Sequence, residues 1–156
     1  MIGSLAEWMQ STRIATAVGE STSLTAVLSS IHVVGMTLLV GAVLVSSLTR
    51  LGVIFRDRPV VDVTAGTDRG VILGLFISVP TGLLLLGPRA SAAFQNGIFQ
   101  LKMLLLFLAA AFHFGLSRKM IGPAHARPGV LRLAGALALA LWYGVAMAGA
   151  LFILLE

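Results

Sequence analysis

Three side chains in this sequence place reactive groups in apolar surroundings: His32, Lys102 and His113. An imidazole can ligate iron, relay a proton or hold a neighbouring helix by a hydrogen bond, and an ammonium group can hold an anion. A lysine at the centre of a membrane helix costs about 2.5–3.5 kcal/mol on insertion scales. Because such groups are costly in an apolar segment, we expect any function of this chain to involve them.

The elements around these residues have the composition of membrane helices. Of 156 residues, 58% are apolar and only 11% charged, with a mean hydropathy of +1.00. Soluble domains carry about 25% charged residues, and crossing a bilayer takes about 20 helical residues. The absence of cysteine excludes disulfides, thiolate metal sites and iron–sulfur clusters. We predict an all-α, polytopic membrane four-helix bundle, one domain over residues 1–156, with spans at 24–48, 70–86, 98–117 and 133–155.

The charges outside the spans predict an orientation. Eight of the eleven basic residues lie in the loops that join the first span to the second and the third to the fourth. The positive-inside rule places these loops in the cytoplasm and both termini on the outer side. This distribution explains the net charge of +5 without nucleic-acid binding. The pattern of residues 4–18 predicts a short helix on the outer membrane surface, with Trp8 at the interface. The alternative is a disordered tail.

Helical spacing sorts the small and polar residues of each span onto one stripe, which we expect to face the bundle interior. The predicted interior residues are Thr25, Ser29, His32, Met36 and Ser46; Gly70, Gly74, Ser78 and Thr81; Lys102, Leu106, Ala109, His113 and Ser117; and Ala136, Ala140, Tyr143, Met147 and Ala150. The Tyr143 hydroxyl is expected to bond to an inner partner. No acidic residue falls within a predicted span, so a carboxylate proton relay lacks its usual parts.

Inward-facing histidines on two helices are how membrane b-type cytochromes hold haem iron, which makes His32 and His113 candidate ligands. From the predicted span ends, the two differ in height by roughly 10 Å, whereas Met147 is level with His32. Ligation by two histidines and ligation by His32 with Met147 both stay open; without haem b, we expect no cofactor. The structural alternative is a neutral histidine hydrogen-bonded to a neighbouring helix.

Lys102 and His125 have simpler alternatives as well. Lys102 lies about four residues from the predicted outer end of its span, so its ammonium group can snorkel to the headgroups. The functional alternatives are that it pairs with Glu20 or the outer polar groups, or that it holds an anion. His125 falls in the predicted inner loop and is interpreted as a solvated residue.

Several short motifs give the chain a family resemblance over nearly its whole length. They are Ile31-His32-Val33-Val34-Gly35, Leu39-Val40-Gly41, Arg50-Leu51-Gly52, Thr81-Gly82-Leu83-Leu84, Phe99-Gln100-Leu101-Lys102-Met103-Leu104-Leu105 and Arg132-Leu133-Ala134-Gly135 followed by Leu141-Trp142. This pattern resembles a bacterial family of small four-helix membrane proteins of unknown function, similar in architecture to b-type cytochrome and copper-resistance membrane domains. The resemblance implies the bacterial cytoplasmic membrane as location. One departure is Ser29, where the family is expected to carry a glutamate.

The sequence leaves competing functions open. The first is a membrane subunit of a redox or respiratory complex that binds haem b or a quinone between helices. The second is a non-catalytic anchor or stabilising subunit, which the short loops favour because they leave no soluble module for chemistry. A small transporter is third. The expected partners are the lipid bilayer and other membrane subunits or further copies of the chain, with no nucleic acid, and we expect no independent catalytic activity.

Overall fold

The computed structural model describes residues 2–117 and 127–155, which are almost entirely helical and contain no strand. Predicted features at Arg118, Lys119 and His125 lie outside these residues. The helices are α1 (Ile2–Gln10), α2 (Arg13–Glu20), α3 (Thr22–Arg50), α4 (Val60–Leu86), a 3₁₀ turn (Gly87–Arg89), α5 (Ala90–Gln95), α6 (Gly97–Ala111), a π-helical turn (Phe112–Ser117) and α7 (Pro128–Leu154).

Four helical stretches are long and apolar enough to cross a membrane: α3, α4 with the turn and α5 that continue it, α6 with the π-helical residues up to Gly115, and α7. A helix of 27 residues such as α7 extends about 40 Å, enough for the hydrocarbon layer and part of the headgroup region. The predicted all-α architecture with four membrane-spanning helices is confirmed. The chain is a multi-pass membrane protein.

Close helix packing in the bundle depends on glycine. A Cβ added to Gly74 of α4 would lie 2.7 Å from the backbone nitrogen of Leu39 and 2.8 Å from the carbonyl oxygen of Gly35, both in α3. A Cβ on Gly135 of α7 would lie 2.8 Å from the carbonyl oxygen of Ser47. Helix α3 therefore touches α4 and α7 backbone to backbone, and α7 packs in turn on α6. One apolar core joins the four helices; its buried members are Leu39, Val43, Val71, Ala109, Trp142 and Val145.

The bundle has two distinct ends. At the end that we call the Pro88 end, α1 and α2 pack over the connection from α4 to α6, and the Gln10 amide donates to the carbonyl of Pro88 at 2.9 Å. At the opposite end, the Arg50 end, α3 finishes and α4 and α7 begin. The single helix predicted over 4–18 is wrong, because Thr12 caps a second helix by accepting from the Ala15 amide. Trp8, 64% exposed, has the accessibility that an interfacial residue needs.

Helix α4 begins ten residues earlier than its predicted span, at Val60 and not at residue 70. The prediction ended the span where charges begin, but a charged residue marks the edge of the hydrocarbon layer and does not end a helix. Pro59, at the N-cap, is where this helix starts. The longer helix includes Asp68, which lies two residues before the predicted span, so a membrane-spanning helix does carry a carboxylate that the predicted span left out.

Helix α7 is turned the other way from the predicted orientation. The residues expected inside are all exposed: Ala136, Ala140, Tyr143, Met147 and Ala150. Those that face the bundle are Ala134, Gly135, Ala138, Trp142, Val145 and Ala148. The prediction favoured the polar tyrosine, whereas the fold buries the larger Trp142 and uses small residues beside it to admit α3 and α6. The predicted interior residues of α3, α4 and α6 are buried or half-buried as expected, and the side chain of Ser117 lies outside the described part.

Candidate functional site

His32 is held on α3 by a threonine of α4. Its Nδ1 lies 3.0 Å from the Thr81 hydroxyl oxygen. That hydroxyl has one proton, which it donates to the carbonyl of Ile77 at 2.7 Å, as a threonine in a helix often does. The Thr81 oxygen is therefore the acceptor and His32 Nδ1–H the donor. The resulting neutral tautomer leaves a lone pair on His32 Nε2.

The close crossing of α3 and α4 positions this ring. His32 lies about one turn before Gly35, where the two helices meet. The adjacent Gly82 makes room for the imidazole, because a Cβ there would lie 3.0 Å from its Cε1 atom. The backbone carbonyl of Ser78 also attracts the ring, and Ser78 itself is buried. Thr81 and Gly82 thus hold and admit the same imidazole.

Lys102 of α6 extends into the same half of the bundle. A Cβ on Gly149 of α7 would lie 3.4 Å from its Nζ and Cε atoms, so the lysine chain covers that glycine. The positive charge acts on the His32 ring. The side chain is half-buried, and Glu20, its predicted partner, is exposed. His32 and Lys102 together form what we call the Pro88-side cluster.

A second polar cluster lies toward the Arg50 end. His113 is 2% exposed, and its Nε2 lies 3.2 Å from Oδ1 of Asp68 on α4. Its ring meets the indole of Trp142 edge to face, with centroids 6.5 Å apart. Arg50 is 4% exposed, and the negative charge of Asp68 stabilises its positive charge. The cluster therefore combines an imidazole, a carboxylate and a guanidinium, and the carboxylate and guanidinium were missed from the sequence.

A sequence signal could have found Asp68. The inward positions of α4 continue in steps of three and four before Gly70, and buried Thr64 and Val71 lie on that stripe. Asp68 falls between them on the same face. The predicted stripe stopped at the first charges and so ended just short of it.

The structure keeps the two histidines apart. His32 lies ten residues from the start of α3, and His113 sixteen residues from the start of α6, at the same end of the bundle. The two histidines are therefore separated by about 9 Å along the axis of the bundle. Met147 is 43% exposed on the outer side of α7, facing away from the interior that holds His32. Neither predicted ligand pair is brought together, and the described residues contain no group of three potential metal ligands.

Of the remaining predicted site residues, three lie in the bundle near His32 and one lies on its outer surface. Ser78 and Thr81 are buried beside His32, and Ser29 is half-buried about one turn before it on α3. Tyr143 is 61% exposed, so its predicted place in the polar interior is wrong. Its hydroxyl lies near the middle of a membrane-spanning helix, facing outward.

Comparison with known proteins identifies the family. No curated protein and no solved structure matches the chain. A family described only as being of unknown function, DUF6644, matches residues 6–154, a range that includes all four membrane-spanning helices and both polar clusters. The predicted membership of an uncharacterised family is confirmed, whereas the likeness to b-type cytochrome domains stays a prediction. The chain belongs to the DUF6644 family of unknown function.

Proposed function

We propose that this protein is a subunit of a redox complex in the bacterial cytoplasmic membrane, and that its Pro88-side cluster binds the head group of a quinone. The observation that carries the proposal is the orientation of His32, whose Nδ1–H is used on Thr81 while Nε2 keeps its lone pair. Such a nitrogen can accept a hydrogen bond from a quinol hydroxyl. The Lys102 ammonium can donate to the second oxygen of the ring.

The surroundings suit a lipid-soluble ligand. Val33, Val34 and Leu83, next to His32 and Gly82 in sequence, are 52–62% exposed, as lipid-facing side chains would be. A quinone has an apolar tail and two polar oxygens, and binding sites of this kind combine an apolar lining with few polar groups. The electrons would pass to or from a carrier in a partner subunit.

Haem b fits this chain less well. His32 has the usual arrangement of a ligating histidine, since its other ring nitrogen donates to an acceptor in the protein. In the described part of the chain, neither predicted second axial ligand is available to it, because His113 is engaged with Asp68 and Met147 faces outward. The donor set therefore does not support haem held between His32 and either of these residues.

The proposal includes the orientation of the chain in the membrane. The positive-inside rule places the Arg50 end in the cytoplasm and both termini in the periplasm. The Pro88-side cluster would then lie in the outer half of the membrane.

Replacing His32 by glutamine is expected to weaken binding of a short-chain quinol about tenfold, measured by titration of the purified protein in detergent. The reason is the loss of one oriented hydrogen bond, which contributes about 1 kcal/mol or somewhat more. Lys102→Met should weaken binding by a similar factor. The control is Arg69→Gln, which changes an exposed side chain of α4 toward the Arg50 end, leaves the Pro88-side cluster intact and should not change the affinity. Unchanged binding in both cluster variants, or equal loss in the control, would refute the quinone site.

A second candidate function is an anchor or stabilising subunit without a ligand of its own. Tyr143 favours it, because a hydroxyl facing hydrocarbon in mid-membrane without a partner is costly. Small residues on the same stripe, Ala136, Ala140 and Ala150, would let another helix approach. Under this proposal, a partner subunit or a second copy covers this face of α7. No specific observation favours the transporter.

Replacing Ala140 by phenylalanine tests this face. We expect the bulky ring to abolish co-purification of membrane partners, or of a second copy, in mild detergent, as judged by light scattering and mass spectrometry. Val33→Phe is the control, since it enlarges a residue 60% exposed on α3, away from the stripe. If wild type and Ala140→Phe give the same particle mass and composition, the α7 face is not an interface.

A further inference from the structure

A basic pocket lies at the Arg50 end, beside the cluster of His113, Asp68 and Arg50, and it shares Arg50 with that cluster. Its volume is about 560 Å³, and it opens between the last turn of α3, the following loop and the first turns of α4 and α7. Four arginines line it: Arg50, Arg56, Arg58 and Arg132. No acidic residue is among its lining residues in the described part of the chain. We propose that this pocket binds the phosphate head group of an anionic phospholipid.

The loop that carries two of these arginines is folded back on itself. The Arg56 guanidinium donates from Nε to the carbonyl of Gly52 at 2.7 Å, and Arg58 lies over the Phe55 ring at 5.7 Å from its centroid. Phe55 has a φ of 48°, a left-handed conformation that a bulky residue rarely adopts. The basic groups are thus held by specific contacts of the loop and not left as a run of solvated charges.

Two helix N-termini add to the positive field of the pocket. Val60 of α4 and Pro128 of α7 both line it. Neither helix has a side-chain hydrogen bond from its N-cap residue. The Asp62 and Val130 amides bond to the N-cap carbonyls and Pro128 has no N–H, which leaves the amides of Val60, Val61 and Gly129 for another acceptor. Helix N-termini carry about half a positive charge and bind phosphate oxygens well. Arginine forks and helix amides both match the geometry of a phosphate.

The rest of the lining distinguishes a lipid from a free anion. Leu51, Val53, Phe55, Val60 and Leu131 make much of the wall apolar. Val53 and Phe55 are 54% and 43% exposed, next to the ends of membrane-spanning helices. A dissolved phosphate gains nothing from such side chains, whereas the glycerol and upper acyl chains of a phospholipid would cover them. Basic pockets between membrane helices at the bilayer surface suit anionic head groups for this reason.

The test uses the full chain in a neutral detergent, titrated with short-chain phosphatidylglycerol and with phosphatidylcholine and followed by native mass spectrometry. Replacing both Arg58 and Arg132 by glutamine is expected to weaken phosphatidylglycerol binding about 30-fold, given what each basic residue contributes near a membrane surface. Both residues are exposed, so the melting temperature should not change. The matched control replaces the exposed Arg13 and Arg69 by glutamine, the same change in charge.

We expect the control pair to bind within about twofold of wild type, and phosphatidylcholine to bind at least tenfold more weakly than phosphatidylglycerol. Equal loss in the control pair would show diffuse electrostatic attraction and overturn the site. Equal binding of the two lipids would show that the arginines are not used. Displacement of phosphatidylglycerol by inorganic phosphate at low millimolar concentration would make the ligand a free anion and overturn the lipid assignment.

Discussion

Gly74→Ala is expected to lower the melting temperature of the detergent-solubilised protein by about 6–12 °C, which corresponds to about 3 kcal/mol of overpacking. The new methyl group would lie 2.6 Å from the Leu39 Cβ, 2.7 Å from its backbone nitrogen and 2.8 Å from the Gly35 carbonyl oxygen. Backbone atoms cannot turn aside as a long side chain can, so α3 and α4 must separate.

The same change should disturb the Pro88-side cluster. His32 and Thr81 belong to the two helices that cross at Gly74, and their 3.0 Å contact requires the crossing to stay closed. We therefore expect the remaining folded protein to bind a short-chain quinol more weakly than wild type. If Gly74→Ala destabilised the bundle without weakening quinol binding, that result would contradict the proposed function.

Gly41→Ala is the matched control. Gly41 lies in α3, one of the two helices that meet at Gly74, and an added Cβ there would have no atom within 4 Å. An alanine at an exposed helical position stabilises by about 0.4–1 kcal/mol, so its melting temperature should stay level or rise slightly. If both variants melted alike, the close approach of α3 and α4 at Gly74 would not be a main source of stability.

The membrane architecture could be predicted from the sequence because its signal is summed over many residues. Uncharged stretches of about 20 residues and the spacing of small and polar side chains identified four spans and the inward faces of α3, α4 and α6. Which of two adjacent residues faces the interior of the bundle was harder to predict. Trp142 and Tyr143 are adjacent, so a rotation of about 100° separates two plausible faces, and only packing against α3 and α6 decides between them.

The pairing of polar groups across helices could not be predicted, since it depends on where helices cross. The tautomer of His32 follows from Thr81 on a different helix, and the Thr81 proton follows in turn from a carbonyl one turn earlier. Asp68 was missed for another reason: the predicted span ended at the first charges, although the helix itself continues beyond the hydrocarbon layer.

Asp68→Asn is expected to destabilise the protein by about 3 kcal/mol, seen as a fall of about 6–12 °C in melting temperature. Arg50 is 4% exposed, and Asp68 is the acid whose charge acts on it. The amide would still contact His113 but would no longer neutralise the guanidinium. The Asp68 side chain is itself 22% exposed, so the cost arises mainly because the buried guanidinium would lose its counter-charge.

Two further variants separate this explanation from a general loss of packing. Asp57→Asn removes an exposed acid of the preceding loop and should change stability by no more than about 0.5 kcal/mol. The double variant Arg50→Met with Asp68→Asn removes both charges at once, and it should recover much of the lost stability because no buried charge remains. If the double variant were less stable than Asp68→Asn alone, the two residues would contribute independently, and charge neutralisation would not be what holds the Arg50 end of the bundle together.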